Sequence, residues 1–159
     1  MSQATGTKVL GLEETSMNVA AILKLKGKGV FTASADTSLL EIAKLLEQHG
    51  IGCIVIEGDE GKVVGIVSER DLVRAIGQSG PKVLKDPVSD YMTKAVVTAR
   101  EADTIDRLMS EMTTHRFRHM PVVDQGQPVG MISIGDVVKH RLQAMERDSL
   151  AMRDYIVTA

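Results

Sequence analysis

The sequence predicts an α+β fold, α/β-like in its alternation, made of two β-α-β-β-α units packed by their sheets as a pseudo-twofold pair. Three observations predict it. The chain repeats itself: the run from Lys28 to Ala33 aligns with Lys94 to Ala99 at an offset of 66, and Gly61 to Val73 aligns with Gly126 to Val138 at an offset of 65. Internal repetition of this kind is read before any local pattern. Inside each repeat, Leu39, Ile42, Ala43 and Leu46 match Ile105, Leu108, Met109 and Met112. Both sets follow i, i+3, i+4, i+7, the stripe of an amphipathic helix. Each repeat then closes on "GIVSERD" or "GMISIGD", an apolar run that ends in Ser-x-x-Asp.

Taken in order, residues 1–25 form an N-terminal segment with a short helix over about 16–25. The first unit spans 26–80. It opens with an extended piece near 30–32 and continues with a helix over 37–48, for which Asp36, Thr37 and Ser38 offer capping groups. "GCIVIEGDEGKVVGIVS" reads as two strands around a Gly-containing turn, and a second helix starts near Glu69. A connector over 81–93 carries two of the chain's four Pro, in a stretch that resists regular structure. The second unit, 94–142, repeats the order: extended near 96–98, helix over 103–115 after Asp103 and Thr104, hairpin, helix from near Ile134. The one-residue difference in offset falls in the turns "EGDEG" and "VDQG", where chains tolerate insertions. The last helix runs on to about 157. Its extension, 143–159, is a candidate contact between copies of the chain.

Composition narrows the function. A net charge of −2 lacks the basic footprint of a nucleic-acid binder. Two Phe, two Tyr and no Trp cannot build a stacking platform for single strands. The single Cys53 excludes an intramolecular disulfide. No apolar run approaches the ~18 residues of a membrane span, and Val9–Leu12 before Glu13 and Glu14 is no secretory core. The expected location is the cytoplasm.

The duplicated Ser-x-x-Asp carries the functional question. Ser68 with Asp71, and Ser133 with Asp136, have the spacing of a helix capping box. Tandem β-α-β-β-α units that each end in Gly-apolar-apolar-Ser-x-x-Asp resemble a pair of cystathionine-β-synthase (CBS) domains, a Bateman module, from about Lys26 to Leu142. "RHMPVVD" at 118–124 is similar to the family's segment before its hairpin turn. The resemblance implies a non-catalytic regulatory module of the stand-alone type. It implies adenosine-containing ligands: AMP first, then ADP, ATP, NAD(H) or S-adenosylmethionine. It also implies a homodimer and an unidentified protein target.

The residues suit that reading. Asp71 and Asp136, one turn into a helix, can accept bonds from a ribose cis-diol, and charge-assisted bonds are the stronger class. Ser68 and Ser133 stand where free N–H groups favour a phosphate. Gly65 and Gly130 are expected to let backbone or base approach closely. By the resemblance, the segments holding Thr32 and Thr98 lie beside the site, with Val30, Val96, Met120 and Pro121 as apolar walls. Lys28, Lys94, Arg70, Arg116, Arg118 and His119 are candidates against phosphates. The second unit carries Arg116, Arg118, His119 and Pro121 where the first has Gly50, Gly52, Cys53 and Val55, so the first unit's site is expected to be the doubtful or divergent one.

Three rival readings have markers of their own. Cys53 with His49 or His119 suggests a thiol enzyme, but "GCIVI" is a buried-strand pattern that favours an inert thiol. His115 and His119 have helical ligand spacing, but the helix is expected to end near Arg116, which separates them. Met109, Met112, Met145 and Met152 would suit a partner surface in a pure interaction protein whose Ser-x-x-Asp motifs only cap helices.

Overall fold

The computed structural model describes residues 17–158. The expected start of the first helix at residue 16 and the N-terminal segment before it lie outside these. In chain order the elements are α1 Val19–Lys26, β1 Thr32–Ser34, α2 Leu39–His49, β2 Cys53–Glu57, β3 Val63–Ser68, α3 Glu69–Ser79, α4 Ile105–His115, β4 His119–Asp124, β5 Gln127–Ser133 and α5 Ile134–Thr158. The connector contributes two short 3-10 turns, Pro81–Lys85 and Val88–Asp90.

In the first unit β1 runs parallel to β2, pairing Thr32 with Val55, and β3 returns antiparallel. In the second unit β4 and β5 form the hairpin. Its entry segment keeps only one parallel bridge, Ala99 to Val122, in which the Ala99 N–H donates to Pro121 O at 2.8 Å and its carbonyl accepts from the Val123 N–H at 2.9 Å. The expected helices form where their stripes lie, each stopped at its start by a hydroxyl. Ser38 Oγ accepts from the Glu41 N–H and Thr104 Oγ1 from the Arg107 N–H, which supplies one of the orphan donors of a first turn.

Two cores result, and each borrows an element from outside its own repeat. The first packs Leu39, Ile42, Ile54, Ile56 and Val67 with Val83 and Val88 of the connector. The second packs Leu108, Met112, Met120, Val122 and Ile132 with Val19, Ile22 and Leu23 of α1. A helix that precedes the first repeat thus completes the second. A two-stranded hairpin such as β4–β5 is marginal by itself, and the exchange gives each unit a further packed layer. Gly65 and Gly130 are correspondingly not ligand-facing, contrary to expectation: a Cβ on Gly65 would lie 2.4 Å from Met92 Sδ, and one on Gly130 2.6 Å from Leu23 Cδ2. Both glycines admit the exchanged element.

The units also meet directly. The Val63 N–H donates to Gly126 O at 3.2 Å. Gln127 Nε2 donates to Glu60 O at 3.2 Å. The turns of the two hairpins are therefore joined at one end, and clefts open between the units at the other.

Candidate functional site

Each Ser-x-x-Asp does cap its helix. At α3, Ser68 Oγ accepts from the Asp71 N–H at 3.4 Å, while Asp71 Oδ2 accepts from the Ser68 N–H at 2.8 Å and from the Ser68 hydroxyl at 3.1 Å. At α5, Ser133 Oγ accepts from the Asp136 N–H at 3.1 Å and Asp136 Oδ2 from the Ser133 N–H at 2.9 Å. Both boxes use Oδ2. Among the described residues, neither Oδ1 carries a hydrogen bond.

The first cleft, about 500 Å³, is composite. The first unit supplies Ser68, Glu69, Arg70, Asp71 and Arg74 from the start of α3. The connector supplies Thr93, and the second unit Ala95, Val96 and Val97 of its entry segment, Arg116, Phe117 and Arg118 between α4 and β4, and His119 at the start of β4. Arg70 and Arg74 share α3 with the carboxylates Glu69 and Asp71, and Arg116 and Arg118 line the cleft from the other unit, beside the apolar Val96, Val97 and Phe117. That combination suits a ligand with a flat apolar part and an anionic part. The cations assigned by sequence to the second unit therefore serve the first unit's motif. The first unit's cleft, where the doubtful or divergent site was expected, is the larger of the two and the one with more basic side chains in its lining.

The second cleft, about 190 Å³, reverses the partnership. Met131 and Ser133 of the second unit face Lys26, Gly29, Val30 and Phe31 of the first unit's entry, with Ile51 and Cys53 behind. Phe31 stacks on His49, ring centroids 4.1 Å apart. Asp136 is not open here. Lys26 Nζ donates to its Oδ2 at 2.6 Å and to Met131 O at 2.9 Å. Burial pushes the Asp136 carboxyl up, but Lys26 and the Ser133 N–H together outweigh it and hold the group below the usual carboxylate range.

His119 lies between the two clefts and borders both. Its ring packs against Gly52, where a Cβ would come to 3.5 Å of Cε1. Burial lowers its pKa, and Lys26 adds to this, against the opposing pull of Glu69 and Asp136.

Of the other residues singled out by sequence, several lie elsewhere. Met120 and Pro121 are buried in the sheet interior, Met120 within the second core, and are not cleft walls. Successive side chains of a strand point to opposite faces, so Met120 and Pro121 are buried on different sides of β4. Thr32 is engaged in β1, and Thr98 precedes the Ala99 bridge; neither borders a cleft. Lys28 is exposed and pairs with Glu101 at 2.8 Å. Lys94 is exposed and outside both clefts, although its neighbours Thr93 and Ala95 border the first. Sequence reasoning missed Arg74 and Lys26. Arg74 had a signal, since it lies one helical turn after Arg70 and shares its face. Lys26 had none, because its partner is more than a hundred residues away.

The chemistry of the rival readings is weak here. Cys53 is buried, and burial chiefly, with the Asp71 charge, pushes its thiol up to about 12. Such a thiol is protonated and poorly nucleophilic at neutral pH. His115 ends α4 and His119 begins β4, so they do not share a helix face. No cluster of three metal-ligating side chains occurs among the described residues. No helix among them is long and apolar enough to cross a membrane.

Comparison with known proteins places this geometry. The model of the CBS domain matches residues 24–78 and 88–143. A mitochondrial CBS domain-containing protein of Arabidopsis thaliana is 29% identical over 166 residues, covering 98% of this chain and 81% of that protein. The crystal structure of a CBS-domain containing protein from Agrobacterium tumefaciens superposes with a TM-score of 0.75 at 46% identity, over 78% of this chain and 98% of that one. The CBS domain pair of protein MJ0100, crystallised with 5'-methylthioadenosine and S-adenosyl-L-methionine, superposes at 0.70 with 31% identity, over 81% of this chain and 97% of that one.

Proposed function

From the premise that this chain belongs to the CBS-domain family, we propose that it is a non-catalytic regulatory module whose two clefts bind adenosine-containing ligands. The observation that carries this reading is the composite first cleft: a Ser-x-x-Asp helix start from one unit faced by the entry segment and arginines of the other. A ligand held there touches both units, so its binding energy depends on how they sit together. Ligand then shifts the population of unit arrangements by its differential affinity and no more. An unidentified protein target, or the pairing of two copies of the chain, reads the shift.

The details of the clefts support an assignment of ligand classes. Arg70, Arg74, Arg116 and Arg118 favour a phosphate-bearing ligand in the first cleft: AMP first, then ADP, ATP or NAD(H). Asp71 Oδ1 suits the ribose diol, and Val96 and Phe117 the base. The second cleft is smaller, and Lys26 occupies its carboxylate. It suits a ligand with little or no phosphate, the class to which the methylthioadenosine and S-adenosylmethionine of the MJ0100 pair belong.

The competing reading is that both motifs only cap helices, and the complete capping boxes favour it. A thermal-shift panel with AMP, ADP, ATP, NAD⁺, NADH and S-adenosylmethionine separates the two. At a ligand concentration ~100-fold above Kd, binding adds roughly 2.7 kcal/mol to stability. A shift that Asp71→Ala removes and Asp136→Ala keeps supports the first-cleft assignment. No shift with any of the six leaves the caps alone.

A further inference from the structure

The helix α5 runs for 25 residues, and only its beginning touches the rest of the molecule. Val137 and His140 are buried and Ala144 is half-buried, all on one side. From Met145 to Thr158 every residue is exposed. A helical extension with no packed face is marginal in water, and this one exposes Met145 at 59%, Met152 at 64% and Ile156 at 68%.

These apolar residues have a period. Val138, Leu142, Met145, Met152 and Ile156, with the polar Ser149 in the series, follow spacings of four and three in alternation, while the exposed Leu150, Tyr155 and Val157 lie off it. That is the seam of a two-stranded coiled coil, with Leu142, Ser149 and Ile156 at a and Val138, Met145 and Met152 at d. Around the helix it lies on a different face, about 130° from the side that holds Val137, His140 and Ala144. Charges flank it at the matching positions. Arg141 and Asp148 occupy g, and Glu146 and Arg153 occupy e. In a parallel pair each g residue faces the e′ residue five positions on. Arg141 then meets the partner's Glu146, and Asp148 the partner's Arg153, so every such contact is of opposite sign. An antiparallel pair centred on Ser149 would instead set Asp148 against the partner's Asp148. Asp148, Glu146 and Arg153 make no ion pair among the described residues; Arg141 already bonds Asp106 Oδ1 at 2.7 Å.

We infer that the occupant of this seam is a second copy of the chain, bound in parallel through residues 138–156 to form a short coiled coil about 28 Å long. The inference specifies how two copies pair and does not depend on what the clefts bind. The two-fold axis runs along the seam, so each a and d side chain meets its own counterpart, as an isologous contact requires.

Light scattering of the full chain across a dilution series tests it. Wild type gives the mass of two chains. Asp148→Arg and Arg153→Asp each turn two attractions into repulsions and weaken the dimer about tenfold, and the double variant Asp148→Arg/Arg153→Asp restores it. Restoration belongs to the parallel pairing, because in the antiparallel arrangement position 148 meets its own counterpart and stays a like-charge contact in the single and the double variant alike. Ile156→Cys forms an inter-chain disulfide under oxidation, and Val157→Cys, off the seam, does not. A dimer that survives Met145→Lys/Met152→Lys, or a double charge variant that stays monomeric, overturns the coiled coil. A monomeric wild type overturns any homodimer while leaving the nucleotide reading to the thermal-shift panel.

Discussion

Lys26 Nζ sits 2.6 Å from Asp136 Oδ2, joining the end of α1 to the start of α5. Asp71, the equivalent residue in the first repeat, has no cation bonded to it among the described residues. The two capping boxes are thus alike in hydrogen bonding and unlike in charge. The same contact that fixes α1 against the second unit also occupies the second motif.

This pair sets an acid limit on stability. The folded Asp136 carboxyl titrates below its ordinary value of 3.8. A depressed carboxylate contributes stability that is fully present above that ordinary value and is lost as pH falls through the folded pKa. Urea unfolding from pH 6 down to pH 2 is expected to show the loss below about pH 4. Lys26→Met should flatten that limb, because the carboxylate loses its main stabilising partner. An unchanged acid limb in the Lys26 variant would mean that the pair does not form in solution.

His119 should act at milder pH. Its pKa is lowered by burial first and by Lys26 second. The unfolded chain then takes up a proton before the folded one does, so stability is fully present above pH 6.5 and falls as pH drops through the window below it. His119→Gln is expected to remove this slope between pH 6.5 and 5 while leaving the plateau above pH 7 nearly unchanged. The readout is the melting temperature across that range, in a low-salt and a high-salt buffer. A slope that persists in the variant would place the titrating group elsewhere.

The glycines at the crossing points give an asymmetric packing test. Gly130→Ala drives a methyl into Leu23, which has no exposed surface, whereas Gly65→Ala meets the thioether of half-buried Met92. Overpacking a closed core costs about 1–3 kcal/mol, and a flexible Met can swing aside. Gly130→Ala should therefore be the more destabilising, and Gly65→Ala should cost under about 1 kcal/mol. Chemical denaturation of the two variants ranks them, and Gly130→Ala combined with Leu23→Ala should cost less than the sum. A Gly130→Ala protein as stable as wild type would show that α1 does not seat on β5 as described.

These contacts show where the sequence was legible and where it was not. Local chemistry was. The stripes Leu39–Leu46 and Ile105–Met112 became α2 and α4, and each Ser-x-x-Asp became a complete capping box. All depend on neighbours within four residues. What could not be read was pairing at long range. Nothing near Leu23 announces that it belongs with Gly130, and nothing near Arg118 that it faces Asp71 instead of Asp136. Met120 and Pro121 follow the same rule. Their strand was identifiable, but both are buried, on opposite faces of it, by elements that pack from elsewhere in the chain. Repetition itself misled at one point, because it invites each unit to be given its own site, whereas each cleft takes its acidic motif from one unit and its entry segment from the other.

Arg116 offers the sharpest test of the first cleft. It stands at the end of α4 in the left-handed conformation, φ 57° and ψ 40°, where the first repeat has Gly50 at φ 59° and ψ 38°. The left-handed region costs a residue with a Cβ roughly 1–2 kcal/mol, and such costs persist where the side chain has a use. Arg116 borders the cleft that carries three further arginines. Arg116→Gly relieves the backbone and removes the cation. The variant is expected to melt at or above the wild-type temperature without ligand, the gain being trimmed by glycine's freedom in the unfolded chain. With ATP it should shift less than wild type, since a hydrogen bond to a charged group contributes about 1.5–3 kcal/mol, or ~10- to 100-fold in Kd. The two effects have opposite signs, so a general loss of structure cannot imitate them. A variant that gains stability and keeps the full ATP shift would remove Arg116 from the site and leave its strained backbone without a function. One that loses both would show that the side chain holds the α4–β4 corner together.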